Sequence, residues 1–394
     1  MTMAAWKRPR ACVVGLAAAA LTATVLTGPA RAAGDPATKA TGHQATQHAI
    51  EAAVAAGVPG VTAEARDASG VWKSATGVGN LKTGAPRGVN DRFRTGSITN
   101  TFVATVLLQM EAEKKLSLDD TVERWLPGVV TGNGNDGRAV TVRQLLNHTS
   151  GLPDYLADET YYTTYTLGNG FLQHRYDTLT PAQRLTVAFS RAPLFQPGAR
   201  HAFSHTNDIL AALILQKVGG RSYESEVRRR IIEPLALTAT SNPGTATGLP
   251  QPSSRGYSKL FYNTQPDRLD DVTELNGSQG WGDGDIISSA ADLNRFYGAL
   301  MGGRLLPARQ LAELTTTVVN PDFPISSYGL GVEQLALGCG TTIWYHDGGM
   351  VGWLTLSAFT KDGRHQLTFN YNGDWDASGI IPVLDAEFCD PTSG

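Results

Sequence analysis

Apolar residues alternate with polar ones near both ends of the chain. The long stretch between them carries the three-to-four-residue spacing of helices instead. Residues 61–65 alternate, 67–70 (DASG) read as a turn, and 71–78 return, which is the pattern of a hairpin. Toward the other end, 328–333, 351–360 and 366–372 are rich in β-branched and aromatic residues, and Asp362 with Gly363 supplies a tight turn between the last two. In the middle, Ile98, Phe102, Val106 and Met110 recur every fourth residue, joined by Val103 and Leu107, so 97–115 reads as the strongest helix. Further helices are expected over 141–146, 180–189, 207–218 and 223–232, and two more over 43–57 and 380–388. This distribution predicts an α/β sandwich: one antiparallel sheet assembled from both ends of the chain, flanked by helices, with a helical region inserted between them.

The first residues stand apart from that plan. Lys7, Arg8 and Arg10 precede a run of small and apolar residues from 11 to 27, and ARA (30–32) follows as a cleavage site. This is the pattern of a signal peptide, expected to span 1–32, so the protein is expected to be secreted. Gly28 and Pro29 argue against a membrane anchor. The remaining 33–394 are expected to form a single domain, with the sheet drawn from about 45–95 and 286–394 and the helical region from about 97–285. Four of the 33 basic residues lie in 1–32, which holds no acid, so the rest carries 29 basic against 36 acidic side chains, net −7. That balance gives no electrostatic reason to bind nucleic acid, and no membrane partner is expected after signal removal. Cys12 leaves with the signal. Cys339 and Cys389 remain, an even pair in an oxidising compartment, and are expected to form a disulfide whose loop of about 50 residues is worth roughly 4 kcal/mol.

The segment FRTGSITNTF (93–102) sets Ser97 at the first turn of the strongest helix. A helix N-terminus offers unpaired N–H groups and a positive dipole end. A serine there can attack a carbonyl while its own N–H stabilises the oxyanion. It can equally be a simple N-cap, and the local residues leave both roles open.

The stretch TVRQLLNHTSGLPDY (141–155), with PG at 197–198, EPL at 233–235, IISSAADL at 286–293, YGLG at 328–331 and HDGG at 346–349, resembles the serine β-lactamase and penicillin-binding-protein superfamily, class C type. The resemblance covers about 45–375. That branch includes D-Ala-D-Ala carboxypeptidases, D-aminopeptidases and esterases, so it implies a serine hydrolase acting by acyl transfer on a small peptide, amide or ester, without cofactor or metal. Three motifs mark such sites. The first, S-x-x-K, reads here Ser97-Ile98-Thr99-Asn100: the serine matches and the lysine does not. The second, Y-x-N, reads Phe203-Ser204-His205, with both outer residues changed. The third, H-x-G, is matched by His346-Asp347-Gly348. The resemblance implies an oxyanion hole from the N–H groups of Ser97 and Gly349, with Gly348 allowing close approach of substrate.

The departures change the chemistry. Asn100 exchanges hydrogen bonds but takes no proton, and Phe203 has no oxygen. Positioned acid–base help is worth on the order of 10²–10⁴ in rate. Two imidazoles are candidate replacements: His205, in the second motif, and His346, in the third. The rival readings are a pseudoenzyme that binds a cell-wall peptide or metabolite, and a repurposed acyltransferase or cyclase. Asp283 or Asp285 is a candidate to orient one of the histidines. Tyr155, Tyr161, Tyr162 and Tyr165 are expected as a substrate wall or as loop packing, His148 as a loop brace, and Arg228, Arg229 and Arg230 as a solvated charge run.

Overall fold

The computed structural model describes residues 42–261, 265 and 267–389; the expected signal segment lies outside the described residues. Strands β1 (Gly60–Asp67) and β2 (Gly70–Asn80) form the expected hairpin, and Asp67 closes its turn by accepting the Ser69 N–H at 2.7 Å. Strand β3 (Ala85–Pro86) follows at one edge. The main sheet's other six strands come after the helical region: β4 (Val318–Val319), β5 (Ser326–Tyr328), β6 (Glu333–Ala336), β7 (Thr342–Met350), β8 (Trp353–Phe359) and β9 (Gln366–Tyr371). Their order is β4-β5-β6-β7-β8-β9-β1-β2-β3, antiparallel throughout. Strands from the two ends of the chain therefore meet inside the sheet, with Val61 opposite Tyr371 and Arg66 opposite Gln366.

Period two decides which side chains each face buries. Val61, Ala63 and Ala65 of β1 pack with Ile50 and Ala53 of helix α1 (Gln44–Ala55) and with Val383 and Leu384 of helix α7 (Ile380–Phe388). The opposite face is covered by α6 (Ala290–Met301) and α2 (Thr99–Ala112), where Phe102 stacks on Phe296 with ring centroids 3.9 Å apart. Twelve of the fourteen α2 residues are buried, because α5 (His205–Gly219) packs against its other side. A helix covered all round tolerates little displacement. The helical region also contains α3 (Val142–Leu146) and α4 (Pro181–Phe189), each opened by a reciprocal capping box, Thr141 with Gln144 and Thr180 with Gln183.

Two expectations are corrected. The strand expected over 328–333 is interrupted between β5 and β6. There Gly331 takes φ +78°, and a Cβ on it would stand 2.9 Å from the Ala104 side chain, so the chain bends against α2 instead of continuing the ladder. The charge run at 228–230 is not wholly solvated. Arg230 is half-buried and bonds Glu113 at 2.7 and 2.9 Å and Glu226 at 2.7 Å.

The two termini are fastened together on the outer face. Glu387 of α7 accepts from Thr46 Oγ1 at 2.6 Å, lies 3.1 Å from His43 Nδ1, and lies 2.7 Å from His365 Nε2. Beside this clasp, Cys339 and Cys389 have Cα atoms 5.9 Å apart and sulfurs at bonding distance.

Candidate active site

Ser97 sits in a short 3-10 turn (Gly96–Ile98) that runs directly into α2. Gly96 has φ +58°, in the left-handed region, and a Cβ there would stand 2.7 Å from the Gly349 nitrogen. A Cβ on Gly348 would reach 1.9 Å from the Thr95 carbonyl oxygen and 2.8 Å from the Ser97 nitrogen. Two bare backbones therefore touch where β7 passes the start of α2. The glycines of the third motif bring the amides of Ser97 and Gly349 to one place.

A cavity opens at this seam. Ser97, His205 and Gly349 line it together, and among the described residues His205 is the one histidine that lines it. The imidazole belongs to the first residue of α5 and is held from the side. Its Nδ1 lies 2.9 Å from Asp154 Oδ2. The other Asp154 oxygen accepts the Leu156 N–H at 3.0 Å, fixing the carboxylate as the cap of a 3-10 turn (Tyr155–Ala157). Thr206 anchors that loop to α5: its Oγ1 donates to the Pro153 carbonyl at 2.7 Å and accepts the Tyr155 N–H at 3.2 Å. A carboxylate on Nδ1 keeps the proton there and leaves Nε2 with its lone pair.

His346 is placed differently. It is fully buried behind the seam and does not line the cavity. Nδ1 lies 2.6 Å from the Asp347 carbonyl oxygen, and Nε2 lies 3.0 Å from the Tyr328 hydroxyl. Burial pushes its pKa down to about 3. The structure thus brings Ser97, His205, Gly348 and Gly349 to one seam and places His346 behind it, outside the cavity lining.

The other two altered motif positions, Phe203 and Asn100, are both close to this centre. Phe203 stacks on His148 at 4.1 Å and meets the His205 ring edge-on at 5.0 Å. Asn100 is buried beside the Asp208 carboxyl. Neither of its amide atoms, nor Asp208 Oδ2, makes a hydrogen bond of good geometry with the described residues. Burial, with Asp283 and Asp154 nearby, pushes Asp208 well above the usual carboxylate range. His148 braces the loop, as its Nδ1 accepts the Ser204 N–H at 3.2 Å and faces Asn207 Nδ2 at 3.1 Å.

The carboxylates singled out in WGDGD (281–285) serve other partners. Asp283 accepts from the Tyr155 hydroxyl at 2.5 Å and from Arg184 at 3.3 Å. Asp285 binds the Tyr223 hydroxyl and lies 3.2 Å from Asn242 Nδ2, and burial lifts it to about 7. The histidine's carboxylate is Asp154, which sequence reasoning missed. It stands 51 positions before His205 and reads locally as a loop cap, although it belongs to the 141–155 stretch that carried the family resemblance. Among the described residues, no group of three His, Cys, Asp or Glu side chains is arranged to hold a metal ion.

The sequence profile of the family described as Beta-lactamase matches residues 46–376. Penicillin-binding protein 4* of Bacillus subtilis (strain 168) is 26% identical over 310 residues, covering 76% of this chain and 65% of the relative; the chain thus spans just under two thirds of that protein's length. Among solved structures, a D-stereospecific amidohydrolase from Streptomyces sp. is 50% identical with a TM-score of 0.83, over 88% of this chain and 98% of that one. A D-amino acid amidase from Ochrobactrum anthropi SV3, in complex with L-phenylalanine amide, is 25% identical with a TM-score of 0.74, over 87% and 97%.

Proposed function

The chain belongs to the Beta-lactamase family, and from that premise we propose that it is an exported serine hydrolase in which Ser97 carries the acyl group, His205 moves the proton and Asp154 holds the imidazole. Ser97 Oγ attacks the carbonyl carbon of a peptide, amide or ester, and its proton passes to His205 Nε2. The Nδ1–H stays on the Asp154 carboxylate and steadies the imidazolium that forms. The N–H groups of Ser97 and Gly349 receive the negative oxygen, each such donor being worth on the order of 10²–10³ in rate. The imidazolium returns its proton to the leaving amine or alkoxide, and the acyl group stays on Ser97. A water, or a second amine, then takes the acyl group by the same route reversed. Asn100, three residues along α2 on the same face, packs beside the nucleophile.

One observation carries this reading: the 2.9 Å contact between His205 Nδ1 and Asp154 in a cavity that Ser97 also lines. It supplies an acceptor where the family's lysine and tyrosine are absent. The amidohydrolase and amidase named above favour amides among the substrate classes. We take export to follow removal of 1–32, the remainder to be one domain, and the Cys339–Cys389 pair to be oxidised outside the cell.

The test is covalent. Incubation with a fluorophosphonate should add one phosphonyl group to Ser97, read by mass, and Ser97→Ala should abolish the adduct and turnover together. His205→Gln and Asp154→Asn should both slow labelling. Labelling at an undiminished rate in His205→Gln sinks the mechanism. The hydrogen-bond-poor Asn100 amide favours a second reading, a protein that binds in this cavity without reacting. That reading requires a ligand that protects the chain from heat and no adduct under any condition.

A further inference from the structure

Helices α2 and α5 pack against each other, and each carries two polar residues spaced three apart at its start. Ser97 and His205 are the first of each, and both line the cavity. Asn100 and Asp208 follow three residues on, each on the same helix face as the residue before it. They meet one turn below the cavity. The Asn100 side chain lies against the Asp208 carboxyl, and each residue is only 4% exposed. The reaction proposed above gives this second pair no work.

The surroundings of Asp208 decide what the pair can do. From the loop before α5 comes His148. Its Nδ1 accepts the Ser204 N–H and faces Asn207 Nδ2, and the Asn207 Oδ1 is already taken by Ser150 Oγ at 2.6 Å. Two donors on Nδ1 leave the ring's proton on Nε2, and burial keeps this imidazole neutral. Nε2 lies 3.8 Å from Asp208 Oδ1. From β5 comes Tyr328, whose hydroxyl lies 3.0 Å from His346 Nε2. Asp283 and Asp154 add only negative charge. Among the described residues, no lysine or arginine pairs with Asp208. An ionised carboxylate would be buried there without a counter-charge, and the positive end of α5 offsets only a small part of that cost. The carboxyl therefore keeps its proton and acts as a donor. His148 offers it an N–H, so the acid's O–H has no acceptor on that side. The Asn100 oxygen is an acceptor on the other side, and neither it nor Asp208 Oδ2 is held by another bond of good geometry. An amide whose oxygen is engaged from below carries its N–H groups upward, toward the first turn of α2.

We propose that Asp208 is a positioning residue: its carboxyl donates a hydrogen bond to Asn100 Oδ1 and so turns the Asn100 Nδ2–H toward Ser97 Oγ. That N–H occupies a lone pair of the serine oxygen and leaves the serine's own O–H to point at His205. As the proton departs, the same N–H stabilises the negative charge that grows on Oγ. An ionised Asp208 would draw Nδ2 to itself and leave the hydroxyl unguided. No bond is made or broken at either residue. The inference rests on the serine hydrolase reading for what Ser97 does; the proton on Asp208 is independent of it.

Two variants and one spectrum test it. Asp208→Leu keeps the bulk and removes the donor. It should lower kcat for a p-nitrophenyl ester by about tenfold with KM unchanged, the worth of one hydrogen bond made to the transition state. Asp208→Asn puts an N–H donor back in the same place and should recover most of that loss. An Asp208→Leu variant with undiminished kcat overturns the proposal, as does an Asp208→Asn variant as slow as Asp208→Leu. The infrared difference between the unaltered chain and Asp208→Asn at neutral pH should contain the carbonyl stretch of a protonated carboxylic acid. A difference made of carboxylate bands overturns the proposal, whether or not Asp208→Leu folds. The spectrum also separates this failure from failure of the mechanism. If esters are turned over and the acid band is missing, the positioning role falls alone. If the band is present while no ester is turned over and no fluorophosphonate adduct forms, the hydrolase reading falls and the hydrogen-bonded pair stands.

Discussion

The two walls of the site each hold a buried imidazole, and they hold it in opposite ways. His205 meets the Asp154 carboxylate through Nδ1, and its residue lines the cavity. His346 spends both nitrogens on neutral groups, a backbone carbonyl and the Tyr328 hydroxyl, and faces no cavity. Histidine content alone therefore says little about proton transfer. What decides it is whether a charged group steadies the protonated ring and whether the second nitrogen reaches a reacting atom.

The largest effect should come from removing the cavity-facing ring. His205→Gln should lower kcat/KM for a p-nitrophenyl ester by on the order of 10²–10⁴, whereas His346→Gln should cost less than about a tenth of that loss. Equal losses would erase the distinction between the walls. Next, Asp154→Asn removes the charge and keeps the shape. It should cost on the order of tenfold to 10² in kcat, with little change in the thermal midpoint; a large drop in stability with kcat unchanged would make Asp154 a loop brace only. The buried wall should answer in stability instead. Tyr328→Phe leaves His346 Nε2 without its hydroxyl and should destabilise the chain by about 1–2 kcal/mol in urea unfolding.

A third imidazole sharpens the contrast at the smallest scale. His43 is raised above its ordinary value by its hydrogen bond to Glu387, against the cost of burial. Burial works to raise Glu387, but the bonds from His365, His43 and Thr46 win and hold it at about 2. The raised histidine contributes stability that is complete below the ordinary imidazole range and fades as pH climbs through its raised value. The depressed glutamate contributes stability that is complete above the ordinary carboxylate range and fades as pH falls toward 2. The clasp is thus strongest between about pH 4.5 and 6.5. Glu387→Gln should destabilise by about 2 kcal/mol in that window, and His43→Gln by less at pH 8 than at pH 5.5. A cost for His43→Gln that does not change with pH would show that the ring acts by packing alone.

Much of this was legible before the coordinates. Helix α7 spans the expected 380–388, and the turn at Asp362 and Gly363 stands between β8 and β9 as expected, because the signals there are short-range. The place of Ser97 was legible for the same reason, since a buried periodic helix announces its own first turn. The break between β5 and β6 was not, because it answers to α2, more than two hundred positions earlier. Asp154 was hidden in the same way. It looks like an ordinary loop acid, and only the fold shows which ring it meets. The sequence motifs flagged the two losses, at Asn100 and Phe203, more clearly than the compensating contact.

Return to the seam where Gly348 lies against Thr95 and Ser97. The hydroxyl is encoded in the first quarter of the chain and its amide neighbour in the last eighth. A nascent polypeptide therefore cannot assemble this seam until nearly all of it has been synthesised, and whatever chemistry the seam supports begins only when the two distant segments have closed upon each other.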